Sequence, residues 1–168
     1  MSERRIEIRA AQPLETAAIA ETHVRADAET YRPIFGDRFR SMSVSESAAR
    51  WEGAFVAGDE LLVAVDEGAI VGFVHASETW MSALYILASH HRRGIGARLL
   101  AELGARLAAR GARRIGFQAV ADNAGAIDFY RAMGARVVGR RQEGLGDDAW
   151  EDVVFTLDVA APSALRGA

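Results

Sequence analysis

Ile6, Ile8 and Ala10 alternate with Glu7 and Arg9, the two-residue period of a short edge strand. From Pro13 the period lengthens. Ala17, Ala20, Val24 and Ala28 recur at three and four residues and predict a helix, which Pro33 and Gly36 should break. Ser43 followed by Glu46 has the spacing of a capping box, so a second helix is expected through Ala48, Trp51 and Phe55, closed by Gly58 and Asp59. Then the period shortens again. Leu61 to Val65 and Ile70 to His75 flank the hairpin turn Asp66-Glu67-Gly68, and Trp80 to Leu87 is a third strand. A glycine turn at 94–96 opens a long helix to about Arg110, capped by Gly111. Arg114 to Val120 reads as a strand; Asp122 or Asn123 caps a helix that Gly134 terminates. Arg136 to Arg140 and Val153 to Leu157 form a last hairpin-like pair. This alternation defines an α/β chain. One domain is expected over 1–160, with 161–168 a small, polar, frayed tail.

Composition narrows the class of function. The chain has 168 residues, half of them apolar and a quarter charged, which suits a globular protein with a substantial core. No apolar run approaches the ~18 residues of a membrane span, and the charged start, MSERRIEIRA, has no apolar signal segment. Cysteine is absent, so disulfides and thiol chemistry are excluded and a cytoplasmic address is the expectation. A net charge of -3 argues against a nucleic-acid partner.

The stretch "SHHRRGIGARLL", residues 89–100, concentrates the candidate chemistry. A strand feeding a glycine turn and a helix makes an anion site, because the first amides of the helix lack intrahelical partners and the macrodipole is positive there. Gly94 and Gly96 let the main chain approach a ligand, while Arg92 and Arg93 offer phosphate-matched forks. Two phosphate motifs fail. A P-loop needs Lys-Ser/Thr after its second glycine, where Ala97 and Arg98 stand, and a dinucleotide fingerprint needs a third glycine where Leu99 stands. The neighbouring His90 and His91 diverge and have no third ligand at helix or strand spacing, so no metal is expected.

A second stretch, "ADNAGAIDFYRAMGARVVG" at 121–139, places Asn123, Ala126 and Tyr130 on nearly one helix face. Together, HHRRGIGARLL and Asn-x-x-Ala-x-x-Phe-Tyr-x-x-Met-Gly resemble the GNAT superfamily of acyl-CoA-dependent N-acetyltransferases, over nearly the whole chain. The resemblance implies a mixed, mostly antiparallel central sheet with a splay between two central strands, flanked by about four helices. It implies that Arg92, Arg93, Gly94, Ile95, Gly96 and Ala97 cradle the coenzyme A pyrophosphate. It further implies that the main chain of Ile86, Leu87 and Ala88 pairs with the pantetheine arm, and that Asn123 touches that arm. Tyr130 would sit near the thioester sulfur. In three places the chain departs from the family: His91 stands where Gln or Arg is frequent, Ala88 where proline is, and Trp80 where a glutamate often begins the central strand.

The implied reaction moves an acetyl group from acetyl-CoA to a primary amine of a small molecule or peptide, by direct attack in a ternary complex. It needs a base for the ammonium, a donor for the oxyanion and an acid for the leaving thiolate. Tyr130 is the expected acid and the Leu87 amide the expected oxyanion donor. With Trp80 replacing the glutamate, base candidates are Glu78, His75, Glu151 and Asp152, and a water relay is equally open; Glu78 is carried as the catalytic candidate. Tyr31, Trp80 and Trp150 are expected to line the acceptor pocket, and Val153, Val154 and Phe155 to supply a homodimer interface. The rival function is a non-catalytic acyl-CoA sensor or interaction module on the same fold.

Overall fold

The structure, a computed structural model, describes residues 6–159. The expected tail at 161–168 lies outside them, as does the extreme N-terminal stretch. Seven strands and four helices follow the predicted order: β1 (Glu7–Ala10), α1 (Thr16–Phe35), α2 (Val44–Ala57), β2 (Glu60–Asp66), β3 (Ala69–Ser77), β4 (Trp80–Ile86), α3 (Ile95–Ala109), β5 (Arg114–Val120), α4 (Ala124–Ala132), β6 (Arg136–Glu143) and β7 (Trp150–Asp158). The strands belong to one mixed sheet in the order β1-β2-β3-β4-β5-β7-β6, antiparallel except for the central pair β4 and β5. The described residues fall into two compact units. The first comprises 6–78 and 82–103, the second 79–81 and 104–159.

In the first unit, α1 is seeded by a 3-10 turn at Pro13–Glu15, where Glu15 accepts the Gln12 amide at 2.8 Å. Pro33 does not end α1 as expected. It lies in the last turn, where the missing N–H removes a single bond, and the helix runs on to Phe35 before Gly36 closes it at φ 55°. The capping box of α2 forms as read. The Ser43 hydroxyl accepts from the Glu46 amide, and Glu46 accepts from the Ser43 amide at 2.8 Å. At the other end Gly58 is left-handed (φ 74°), and the Asp59 amide bonds back to the Ala54 carbonyl at 3.0 Å. Trp51, Ile19, Ala20, Leu61, Val63, Phe73 and Ala83 form this unit's core.

The β3–β4 hairpin turns at Glu78 (φ 52°) and Thr79. A regular two-residue hairpin would set Ile86 opposite Val71. Instead the Leu87 amide donates to the Val71 carbonyl at 2.9 Å, so β4 carries one extra residue, a bulge, on its way to the site.

In the second unit, β7 lies between β5 and β6, pairing Phe155 with both Phe117 and Val137. Phe117, Tyr130 and Phe155 pack ring against ring at 4.4 to 5.7 Å. The recorded parallel register of β4 with β5 is Trp80 opposite Gly116, where the Gly116 amide donates to Thr79 at 2.9 Å. A Cβ added at Gly116 would stand 2.9 Å from the Trp80 ring, so a side chain there would displace the indole. The interface role expected of Val153, Val154 and Phe155 is corrected by this arrangement. β7 is an interior strand, Val153 and Phe155 are buried within the chain itself, and Val154 is only partly exposed.

Candidate active site

β4 stops at Ile86, a 3-10 turn spans Ala88–His90, and α3 begins at Ile95. The first backbone bond closing onto α3 is Arg98 N–H to the Gly94 carbonyl at 3.1 Å, so the amides of Ile95, Gly96 and Ala97 precede any intrahelical acceptor. Gly94 is left-handed at φ 71°, and a Cβ built on it meets no atom within 4 Å. The turn is therefore open at Gly94, and it is the backbone conformation that calls for glycine. Arg92, exposed, is also left-handed at φ 58°, a conformation disfavoured for a side chain of that size.

Three of the surrounding side chains pin this turn. Arg93 donates to Asp66 Oδ2 at 3.2 Å, and His90 Nε2 reaches the same oxygen at 3.0 Å while its Nδ1 faces the Ser89 hydroxyl at 2.8 Å. Burial opposes ionisation of Asp66, yet the bonds from His90 and Arg93 hold its carboxyl below the usual range. His91 Nε2 donates to the Ile86 carbonyl at 2.9 Å. Both histidines are thus hydrogen-bonded parts of the turn. Of the cations expected on pyrophosphate, Arg93 is tied to Asp66, while Arg92 is exposed and forms no ion pair among the described residues.

The main-chain groups assigned to pantetheine are partly committed. The Ile86 carbonyl takes the His91 bond, the Leu87 amide takes the sheet bond to Val71, and the Ala88 amide donates to Glu29 Oε2 at 2.7 Å. The Leu87 amide points to β3, so the oxyanion role expected of it would require breaking a sheet bond. The Ala88 amide instead faces α1, where Arg25 holds Glu29 at 2.9 Å.

Glu78, the expected base, is exposed in the β3–β4 turn. The length of β4, about 20 Å at ~3.3 Å per residue, separates it from Leu87. Tyr31 meets Tyr85 of β4 edge-on at 6.4 Å and Phe35 at 6.0 Å, and the Tyr85 hydroxyl donates to Asp27 Oδ1 at 3.1 Å. Burial raises the Asp27 carboxyl above its ordinary range against that hydrogen bond, and burial together with Tyr31 and Asp27 raises the Tyr85 phenol well above 10. Tyr31, expected to line the acceptor pocket, thus lies beside Tyr85 and its half-buried carboxylate partner Asp27. No sequence motif marked Asp27, although Asp27 and Tyr31 share a helix face four residues apart.

In the second unit, Asn123 rather than Asp122 caps α4. Its carboxamide oxygen accepts the Ala126 amide at 3.2 Å, which leaves the carboxamide N–H groups as what it can offer a ligand. Tyr130 is 7% exposed, with its ring 4.4 Å from Phe117. Trp80 is 39% exposed over Gly116. Trp150 opens β7, and its indole N–H donates to Asp152 Oδ1 at 3.0 Å, while Gln118 Nε2 donates to Oδ2 at 2.7 Å. Asp152 is buried, and burial raises its carboxyl despite these bonds. Glu151 is exposed and pairs with Arg140. Among the described residues no helix is long and apolar enough to cross a membrane, and no group of three or more His, Asp or Glu is placed to hold a metal ion.

A strand, a pinned glycine turn and a helix whose first amides precede any intrahelical acceptor, in a seven-stranded mixed sheet with a central parallel pair, define the class of α/β fold to which the described residues belong. Residues 24–135 match the Acetyltransferase (GNAT) family, and the chain belongs to that family. Solved structures share the fold. The chain is 22% identical to yncA from Salmonella typhimurium, whose structure holds its cofactor acetyl-CoA, at TM-score 0.74, covering 95% of this chain and 99% of that one. It is 22% identical to a GNAT superfamily phosphinothricin acetyltransferase from Sinorhizobium meliloti in complex with acetyl-CoA (TM-score 0.72; 92% and 89% covered). A third, the paiA N-acetyltransferase from Thermoplasma acidophilum in complex with coenzyme A, is 17% identical (TM-score 0.74; 92% and 99% covered). Comparison with curated proteins finds no match.

Proposed function

We propose that this acetyltransferase moves an acetyl group from acetyl-CoA to a primary amine of a small molecule or peptide, by direct attack in a ternary complex. The observation that carries the donor is the turn at 92–97. An unobstructed left-handed Gly94, the amides of Ile95, Gly96 and Ala97, and an exposed Arg92 together fit a diphosphate, and coenzyme A supplies one. The Asn123 carboxamide N–H groups suit the amide-rich pantetheine arm, and Tyr130 is the proton donor to the leaving sulfur. Direct attack is supported by the absence of cysteine, which leaves no thiol to carry an acyl group. For the acceptor, the Asp27 carboxylate, on α1 beside the Tyr85 hydroxyl, suits an ammonium, and Tyr31 supplies an aromatic face to it. Trp80 and Trp150 are the other acceptor-side candidates.

The test has two arms. Acetyl-CoA should raise the melting temperature while NAD and ATP do not, and thiol release should follow addition of an amine from a panel of polyamines, amino acids and peptides. Equal shifts from all three nucleotides would remove the donor. A shift from acetyl-CoA with no thiol release from any amine would make the chain a binding module instead.

A further inference from the structure

Ser82, an exposed residue on β4, has its hydroxyl 2.6 Å from His75 Nδ1, and His75 Nε2 lies 2.9 Å from Asp59 Oδ2. Arg50 Nη2 donates to the same Ser82 oxygen at 3.2 Å. Hydrogen-bond chemistry fixes the direction of this chain. Asp59 accepts only, so Nε2 carries the imidazole proton; Nδ1 is then the acceptor of the Ser82 O–H, and one Ser82 lone pair takes the Arg50 N–H. A hydroxyl oxygen has two lone pairs, so one remains to accept from a ligand at this exposed residue. Each member is held by the fold. The α2 cap bonds the Asp59 amide, the Trp51 ring packs on His75 at 5.3 Å, and Arg50 lies over that ring at 4.6 Å.

We propose that Ser82, His75 and Asp59 are a proton relay that deprotonates the acceptor amine, a site that rests on the acetyltransferase reading above. The ammonium gives its proton to Ser82 Oγ as the Ser82 proton passes to His75 Nδ1, leaving a neutral amine and an imidazolium facing Asp59. The amine nitrogen then bonds to the acetyl carbon and the C–S bond breaks. The nitrogen's second proton ends on the sulfur, and the imidazolium proton leaves to solvent. Ser82 meets the amine directly or through one water. His75 acts through it, and Asp59 is a positioning residue. The charged groups around the imidazole are the Asp59 carboxylate and the Arg50 guanidinium. Burial lowers its pKa from 6.5, Asp59 pulls it up and Arg50 pushes it down, so it is neutral and able to accept at pH 7.

The experiment follows kcat against pH, with acetyl-CoA saturating, in wild type, Ser82→Ala, Ser82→Thr, His75→Gln and Asp59→Asn, with the acetyl-CoA thermal shift as the check on folding and donor binding. His75→Gln should lower kcat by roughly a hundred-fold, the lower end of general-base catalysis, and abolish the acid limb of the wild-type profile. Asp59→Asn should shift that limb to lower pH, because it removes the group that raises the imidazole. Ser82→Ala should be slow and Ser82→Thr, which keeps the hydroxyl, close to wild type. A His75→Gln enzyme that retains both the thermal shift and the wild-type acid limb overturns the relay and leaves the acetyltransferase reading intact. Loss of any acetyl-CoA response in wild type overturns that reading, and the relay with it.

Discussion

Tyr130 joins packing and proposed chemistry in one side chain. Its ring fits among Phe117, Phe129 and Phe155, so Tyr130→Phe keeps every ring contact and removes only the hydroxyl. If that hydroxyl protonates the leaving thiolate, Tyr130→Phe should preserve the acetyl-CoA thermal shift and lower turnover at least ten-fold, about 1.4 kcal/mol of transition-state stabilisation. A wild-type rate where chemistry limits turnover would remove Tyr130 as the acid. A lost thermal shift would place the hydroxyl in ground-state binding. The placing of Asn123 and Tyr130 on one helix was legible in the sequence because a capping residue and an amphipathic period are local. Ser82, Asp59 and Asp27 carried no such signal, since their partners are distant in sequence and hydrogen bonds of that kind have no spacing to read.

At the scale of elements, the β4–turn–α3 unit was predictable almost residue by residue, because glycine punctuation and an amphipathic period are local properties. The structure changes the reason why Gly94 matters. A Cβ there meets no protein atom, so the cost of a side chain is the left-handed backbone, about 1–2 kcal/mol, together with the space a diphosphate would need. Gly94→Val should therefore lower the melting temperature modestly and abolish the acetyl-CoA shift, both seen in one thermal titration. An undiminished shift would make the turn a structural connection only. Pro33 shows the opposite kind of outcome. Read locally it breaks α1, yet it sits where the helix is ending anyway, and the first unit's core holds the remaining turn.

For the whole molecule, two buried histidines flank Trp51, at 5.2 Å for His23 and 5.3 Å for His75. The Trp51 indole N–H donates to the Ser47 hydroxyl, which in turn bonds His23 Nδ1 at 2.7 Å. Burial, aided by repulsion from Arg50, lowers the His23 pKa from 6.5 to about 4. The unfolded chain therefore binds a proton that the folded chain refuses between those values. The stability contributed is complete above pH 6.5 and is lost as pH falls toward about 4, amounting to about 3 kcal/mol at ~1.4 kcal/mol per pH unit. The half-buried Asp27 and buried Asp152 carboxyls, whose pKa values are raised, act in the opposite sense, so the discriminating measurement is a difference. The melting temperature of His23→Gln should fall less steeply than that of wild type between pH 7 and pH 4; parallel curves would show that His23 protonates freely in the fold.

By itself the sequence determined the order of elements, the α/β class and the glycine turn between β4 and α3, because strand period, helix period, capping pairs and glycine turns depend on residues within a few positions of one another. Only the tertiary structure decided that Glu78 is stranded in a turn, that the Leu87 amide is spent on Val71, that β7 is an interior strand, and that Asp59, His75 and Ser82 form one hydrogen-bonded chain. Those outcomes depend on which strands lie side by side and on a one-residue bulge in β4. Each is set by packing between segments far apart in the chain, and no local period encodes it.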